Sequence, residues 1–260
     1  MLVDTHCHLD FADFDAERDE LVARAHASGV MQMVTISTRV RKLDRLLALT
    51  GRYSSVFCSV GTHPNNADEE LDVTADELVQ LAEANAKVVA IGEAGLDYFY
   101  DTQKPEDQKT GLRRHIEAAR RTQLPLVIHS RSADDDMAAI LTEETGKGAF
   151  PFILHCFSSG QGLADTGVAL GGYVSFSGIL TFPKSTDLRD IAATVPMDRL
   201  LVETDAPYLA PKRWRGKRNE PSYVVNTAEV LAEVKGVSYE EIARITTENA
   251  FRCFKKMPRL

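Results

Sequence analysis

Four histidines, one glutamate and one aspartate stand where apolar, strand-like runs give out. Val3-Asp4-Thr5 leads into His6-Cys7-His8, and Val88-Val89-Ala90-Ile91-Gly92 into Glu93. Leu126-Val127-Ile128 leads into His129, and Phe152-Ile153-Leu154 into His155. Leu200-Leu201-Val202 runs through Glu203 and Thr204 to Asp205. Neutral imidazole is a favoured ligand for zinc, copper, nickel and iron. Strand alternation puts His6 and His8 on the same side. A carboxylate such as Glu93 can give one oxygen to each of two cations. The expected partition sets His6, His8 and Asp205 with Glu93 on one ion, and His129 and His155 with Glu93 on the other. That is the donor set of a metal-dependent hydrolase. Asp205 is the expected proton acceptor, with Glu203 orienting it or the attacking water.

These six residues converge only if the chain brings distant strand ends to one place. Strand candidates fall near 2–6, 33–36, 56–61, 88–92, 125–129, 152–155, 173–176 and 200–203. Stretches with helical periodicity lie between them at 16–28, 39–51, 74–85, 106–122, 132–144, 160–170 and 185–194, with 222–234 and 238–254 after the last strand. Thr74-x-x-Glu77 and Ser238-x-x-Glu241 have capping-box spacing. Strict alternation predicts a parallel sheet, and eight units close it into an α/β (β/α)₈ TIM barrel, a single domain over 1–260. In that fold catalytic groups come from the C-terminal ends of several strands.

Composition narrows the class. Apolar residues make up 44% and charged residues 26% of 260, enough for a full core. Cys7, Cys58, Cys156 and Cys253 lack C-x-x-C spacing, which predicts reduced thiols in a cytoplasmic protein. The first 30 residues do not read as a signal peptide, and no run approaches membrane-spanning length. A formal charge of −8 argues against a protein that coats nucleic acid non-specifically, but leaves room for a local basic patch. Lys212-Arg213-Trp214-Arg215-Gly216-Lys217-Arg218, after the last strand, carries five cations around an indole. Phosphates attract such cations and unstacked bases an aromatic face. Arg131 is a further expected phosphate contact. His63 follows the third strand and is expected as a phosphate donor or a support to the metal ligands. Tyr98 and Tyr208 are candidates to stack on a base, whereas His26 and His115 fall inside helices as packed or solvated residues.

The motifs around these residues resemble the TatD family of metal-dependent deoxyribonucleases, in the amidohydrolase superfamily. The resemblance rests on His6-Cys7-His8-Leu9-Asp10, Gly61-Thr62-His63-Pro64, Gly92-Glu93-Ala94-Gly95-Leu96-Asp97-Tyr98 and Ile128-His129-Ser130-Arg131. It continues through His155-Cys156-Phe157-Ser158, Glu203-Thr204-Asp205-Ala206-Pro207-Tyr208-Leu209, Arg218-Asn219-Glu220-Pro221 and Asn249-Ala250-Phe251. It implies a TIM barrel with His6, His8, Glu93, His129, His155 and Asp205 as ligands. It also implies DNA as substrate, hydrolysed from 3′ to 5′ on single strands. The expected cofactor is two divalent ions drawn from Zn, Mn, Mg or Ni. Some relatives act on other esters, including aminoacyl-tRNA, so a D-aminoacyl-tRNA deacylase is the alternative, with tRNA in place of DNA. A non-catalytic metal- or nucleic-acid-binding barrel is the remaining one. No membrane partner is expected, and the chain is expected as a monomer or weak oligomer.

Overall fold

The computed structural model describes residues 1–100 and 104–259. Its sheet runs in sequence order through β1 (Leu2–Cys7), β2 (Val30–Thr35), β3 (Val56–Val60), β4 (Val88–Asp97), β5 (Leu126–Arg131), β6 (Phe152–Leu154), β7 (Tyr173–Phe176) and β8 (Leu200–Val202). Every neighbouring pair is parallel. A bridge between Cys7 and Ala206 brings the last strand back to the first. The Asp205 amide donates to the His6 carbonyl at 2.9 Å, and the His8 amide to the Ala206 carbonyl at 2.8 Å. The expected TIM barrel is the fold.

The helices lie between the strands as α1 (Arg18–Ala27), α2 (Leu43–Arg52), α3 (Ala75–Ala84), α4 (Pro105–Thr122), α5 (Asp134–Lys147), α6 (Gln161–Ala169) and α7 (Thr186–Thr194), with α8 (Val224–Lys235) and α9 (Tyr239–Cys253) after β8. Thr74 and Ser238 accept the Glu77 and Glu241 amides at 3.2 Å, so both expected caps form. Among the described residues no helix is long and apolar enough to cross a membrane.

Strand alternation sorts the core into two layers. Leu2, Met33, Val56, Val88, Leu126, Phe152, Val174 and Leu200 pack outward under the helices. Val3, Val34, Phe57, Val89, Val127, Ile153 and Leu201 form a second cluster. Phe251, Phe254 and Met257, at and beyond the end of α9, pack into that same cluster. Two residues on from Val127, Ile153 and Leu201, the same side of each strand presents His129, His155 and Glu203. An apolar floor therefore carries the polar site above it.

Most boundaries shift by a residue or two, and of the three described next two matter for the site. β2 begins at Val30, directly after Gly29 turns the chain at φ +82°. β4 continues to Asp97, because β5 keeps pairing with it as far as Arg131. β8 stops at Val202, so strand alternation cannot be what aims Asp205. All four cysteines are free thiols, and Cys7, Cys58 and Cys253 are buried. His115 is packed, its Nε2 accepting the Thr62 amide at 3.0 Å, and burial pushes its pKa down to about 4.

Candidate metal centre at the barrel mouth

Glu93 reaches the barrel interior through a bulge. Gly92 pairs with Val127 and Ala94 with Ile128, so Glu93 is the extra residue, re-aimed by the break in register. Gly92 at φ +97° has room for no side chain, since a Cβ there would meet the Val127 carbonyl oxygen at 2.6 Å. A Cβ on Gly95 would meet the His129 carbonyl oxygen at 1.9 Å. Only glycines let β4 lie this close to β5 around the bulge.

A second irregularity, between Asp4 and Cys7 in β1, turns His6 inward alongside His8. The Asp4 carboxylate accepts the Thr204 amide at 2.9 Å and its hydroxyl at 2.6 Å. That clasp fixes the turn after β8, where Asp205 sits in the left-handed region at φ 59°. The turn aims the Asp205 carboxylate at the site in place of the expected strand geometry.

The six expected donors meet. Nε2 of His6 lies 3.3 Å from Nε2 of His8 and 3.5 Å from Glu93 Oε2. Asp205 Oδ1 is 3.6 Å from His6 Nε2 and 3.5 Å from His8 Nε2. On the other Glu93 oxygen, Oε1, stand His129 Nδ1 at 3.0 Å and His155 Nε2 at 2.8 Å. Ligand atoms about 2.0–2.1 Å from a shared ion lie roughly 2.9–3.4 Å apart in octahedral or tetrahedral geometry, close to the spacings here. Glu203 Oε2 is buried without a hydrogen-bond partner among the described residues, and Glu203 groups with His6 and His155 as a further possible donor set. These residues fit divalent cations.

Charges around Glu93 act on it in opposite directions. Burial opposes its ionisation, but His155, His63 and His6 outweigh burial and hold its carboxyl well below the usual range. Asp205 behaves alike: burial raises it, and the bond to His8 with the charges of His6 and His155 brings it below the ordinary value. Burial lowers His155, yet Glu93 and Glu203 push it well above. Carboxylates that hold a proton on a buried ring would also hold a cation.

One expected role changes. Glu203 is fully buried and does not touch Asp205. Its Oε1 stands 3.1 Å from His155 Nδ1 and accepts the Cys156 amide at 2.8 Å, so it orients His155. His63 borders the mouth cavity and stands beside the metal ligands, as the second of its two expected roles has it: its Nε2 lies 3.4 Å from Glu93 Oε1 and its Nδ1 accepts the Asn65 amide at 3.0 Å. It groups with Glu93 and His129 as a third possible donor set.

Asp97 carries out a role not expected from the sequence. Its Oδ2 lies 3.1 Å from His129 Nε2, fixing that ring so that Nδ1 faces Glu93. Burial raises the Asp97 carboxyl, but the His129 bond outweighs it and leaves the pKa at about 2. The signal was present in Gly92-Glu93-Ala94-Gly95-Leu96-Asp97, but reading it required β4 to continue past Glu93.

The cavity above the donors measures about 660 Å³ and is bordered by Phe11, Arg39, Tyr100, Ser130, Arg131 and Tyr208 as well as by His8, Glu93, His129, His155 and Asp205. Arg131 is there, as expected. Arg213, Trp214, Arg215, Lys217 and Arg218 do not line it. Trp214 instead lies flat on Tyr223, ring centres 4.5 Å apart, and donates to Asn226 at 3.0 Å. Arg218 is held by Glu17 at 2.6 Å. The loop after β8 folds over its own neighbours instead of into the mouth. Tyr98 is likewise committed, its hydroxyl donating to Asp136 at 2.8 Å, while Tyr208 remains exposed at the mouth.

Residues 3–255 match the family described as TatD related DNase. The chain belongs to that family. It is 40% identical over 257 residues to the metal-dependent hydrolase YabD of Bacillus subtilis, covering 98% of this chain and 99% of YabD. It is 42% identical over 258 residues to the metal-dependent hydrolase YcfH of Escherichia coli, covering 97% and 95%. The crystal structure of the TatD homolog YjjV from E. coli superposes with a TM-score of 0.91 at 32% identity, covering 98% of each chain. This member of the TatD family is a metal-dependent hydrolase.

Proposed function

We propose that the protein is a divalent-metal-dependent phosphodiesterase acting on DNA, releasing nucleotides from 3′ ends of single strands. The observation that carries this reading is Glu93, with one oxygen among His6 and His8 and the other among His129 and His155. That arrangement suits two cations sharing one carboxylate, drawn from Zn, Mn, Mg or Ni. Such cations, when bound, polarise a phosphoryl oxygen and acidify a water.

The chain's own residues supply the rest. Asp205 borders the cavity and is held ionised, so it can take the proton of the attacking water. Glu203 and Asp97 keep His155 and His129 turned toward Glu93. Arg131 offers a planar fork to phosphate oxygens at the rim. A single strand can bend its phosphates into a recessed site and leave its bases unpaired, whereas a duplex is a rigid rod that keeps them paired.

Release of nucleotides from a labelled single strand in Mn²⁺, abolished by chelation, tests the reading. Within that assay Arg131→Ala is expected to raise KM roughly tenfold and to lower the slope of log K against log salt by about 0.7. The triple variant Arg213→Ala, Arg215→Ala, Lys217→Ala should leave hydrolysis of a dinucleotide unchanged, because none of the three borders the cavity. Equal impairment of the dinucleotide by both would place the basic loop in the mouth after all.

A further inference from the structure

Six large apolar side chains are exposed among the described residues, and three of them, Phe99 at 57%, Tyr100 at 47% and Tyr208 at 54%, stand around this one site. They do not form one patch. Phe99 and Tyr100 follow β4, while Tyr208 follows β8, and in an eight-stranded barrel those strands are half a turn apart. Each has aromatic company on its own rim. Phe99 and Tyr100 meet edge to face with centroids 5.0 Å apart. Tyr208 meets Phe11 in the same way at 6.1 Å, and Phe11 stacks on His8 at 4.7 Å. Tyr100, Phe11 and Tyr208 border the mouth cavity, and Phe99 borders the groove that adjoins it through Ser130, Arg131 and Ser158. Arg131 lies over the Phe99 ring at 3.8 Å and over that of Tyr100 at 5.0 Å, and it borders both spaces.

Apolar rings left in water beside a buried ionic centre ask for a ligand with flat apolar faces and a charge between them. A docked protein would need a contiguous patch, which two rims separated by a polar cavity do not provide. A nucleic-acid strand has the right pattern, because every base offers a π-face and every linkage a phosphate. We propose that the two rims are stacking subsites, each gripping one nucleobase, so that the unit recognised is an unpaired dinucleotide with its phosphodiester over the donors. This rests on the phosphodiesterase reading above and adds what surrounds the bond. A duplex could not satisfy both rims, since its bases stay paired and stacked on each other.

Four diesters test it: thymidylyl-thymidine, the two forms lacking one base, and the form lacking both. Tyr208→Ala should lower kcat/KM on thymidylyl-thymidine roughly 5- to 100-fold, and the loss should vanish on one half-abasic diester. The double variant Phe99→Ala, Tyr100→Ala should show the same loss and lose it on the other half-abasic diester. All three side chains are exposed, so folding should be unaffected. Equal losses on all four diesters, or none on any, would overturn the subsites. If the parent cleaves none of the four, the phosphodiesterase reading fails. The subsites are then judged by anisotropy with Mn²⁺-loaded protein and labelled thymidylate tetramers with and without bases. Tighter binding of the tetramer with bases, abolished in the variants, would uphold them; equal affinity for both tetramers would overturn them.

Discussion

Replacing Glu93 with alanine is expected to cost roughly 10³-fold or more in turnover and to strip the protein of most of its metal. Both Glu93 oxygens face imidazole nitrogens, with four rings from β1, β5 and the ends of β1 and β6 around one buried carboxylate. Alanine removes the carboxylate whose two oxygens face both pairs, and with it the negative charge that would hold cations there. Glu93→Gln keeps the volume and one oxygen but not the charge, and should lose metal to nearly the same degree. Metal content of the folded, purified variants decides it. Full occupancy with ordinary turnover in either variant would remove Glu93 from the bridging position.

Asp205→Asn should behave differently. The amide fills the same space, the Asp4–Thr204 clasp that builds the turn is untouched, and the fold should be intact. An amide cannot accept the proton, so kcat should fall by roughly 10²- to 10⁴-fold with KM changing little. Binding of a single strand by the variant, alongside single-turnover rates, separates the two effects. Near-parental turnover would move the base elsewhere. Glu203 is a poor substitute, because it is fully buried and one of its oxygens is already committed to His155 and Cys156.

The barrel was legible because its logic is local. Alternating strands followed by amphipathic helices predict eight parallel units, and the step of two from Val127 to His129 and from Ile153 to His155 places the rings without further information. What escaped depends on departures from regular strands. The bulge at Glu93 and the left-handed turn at Asp205 deliver the expected side chains by routes that periodicity does not encode. Asp97 was hidden by the same bulge, since β4 read as ending at Gly92 leaves no reason to look five residues on. The basic loop shows the opposite error. Five cations around an indole record composition, but not which way the loop folds, and the Trp214–Tyr223 stack turns that indole away from the mouth. At the β4 rim the sequence points to Tyr98, one residue short of the exposed rings. Tyr98 turns back to Asp136, and the exposed rings are those of Phe99 and Tyr100.

The most direct measurement is hydrolysis by the Mn²⁺-loaded protein of three substrates side by side, single-stranded DNA, duplex DNA and D-aminoacyl-tRNA, each with and without chelator. A centre built around Glu93 with Arg131 at its rim should release nucleotides from the single strand, act more slowly on the duplex, and stop when the metal is withdrawn. Deacylation of the tRNA without cleavage of either DNA, or cleavage that persists under chelation, would contradict it.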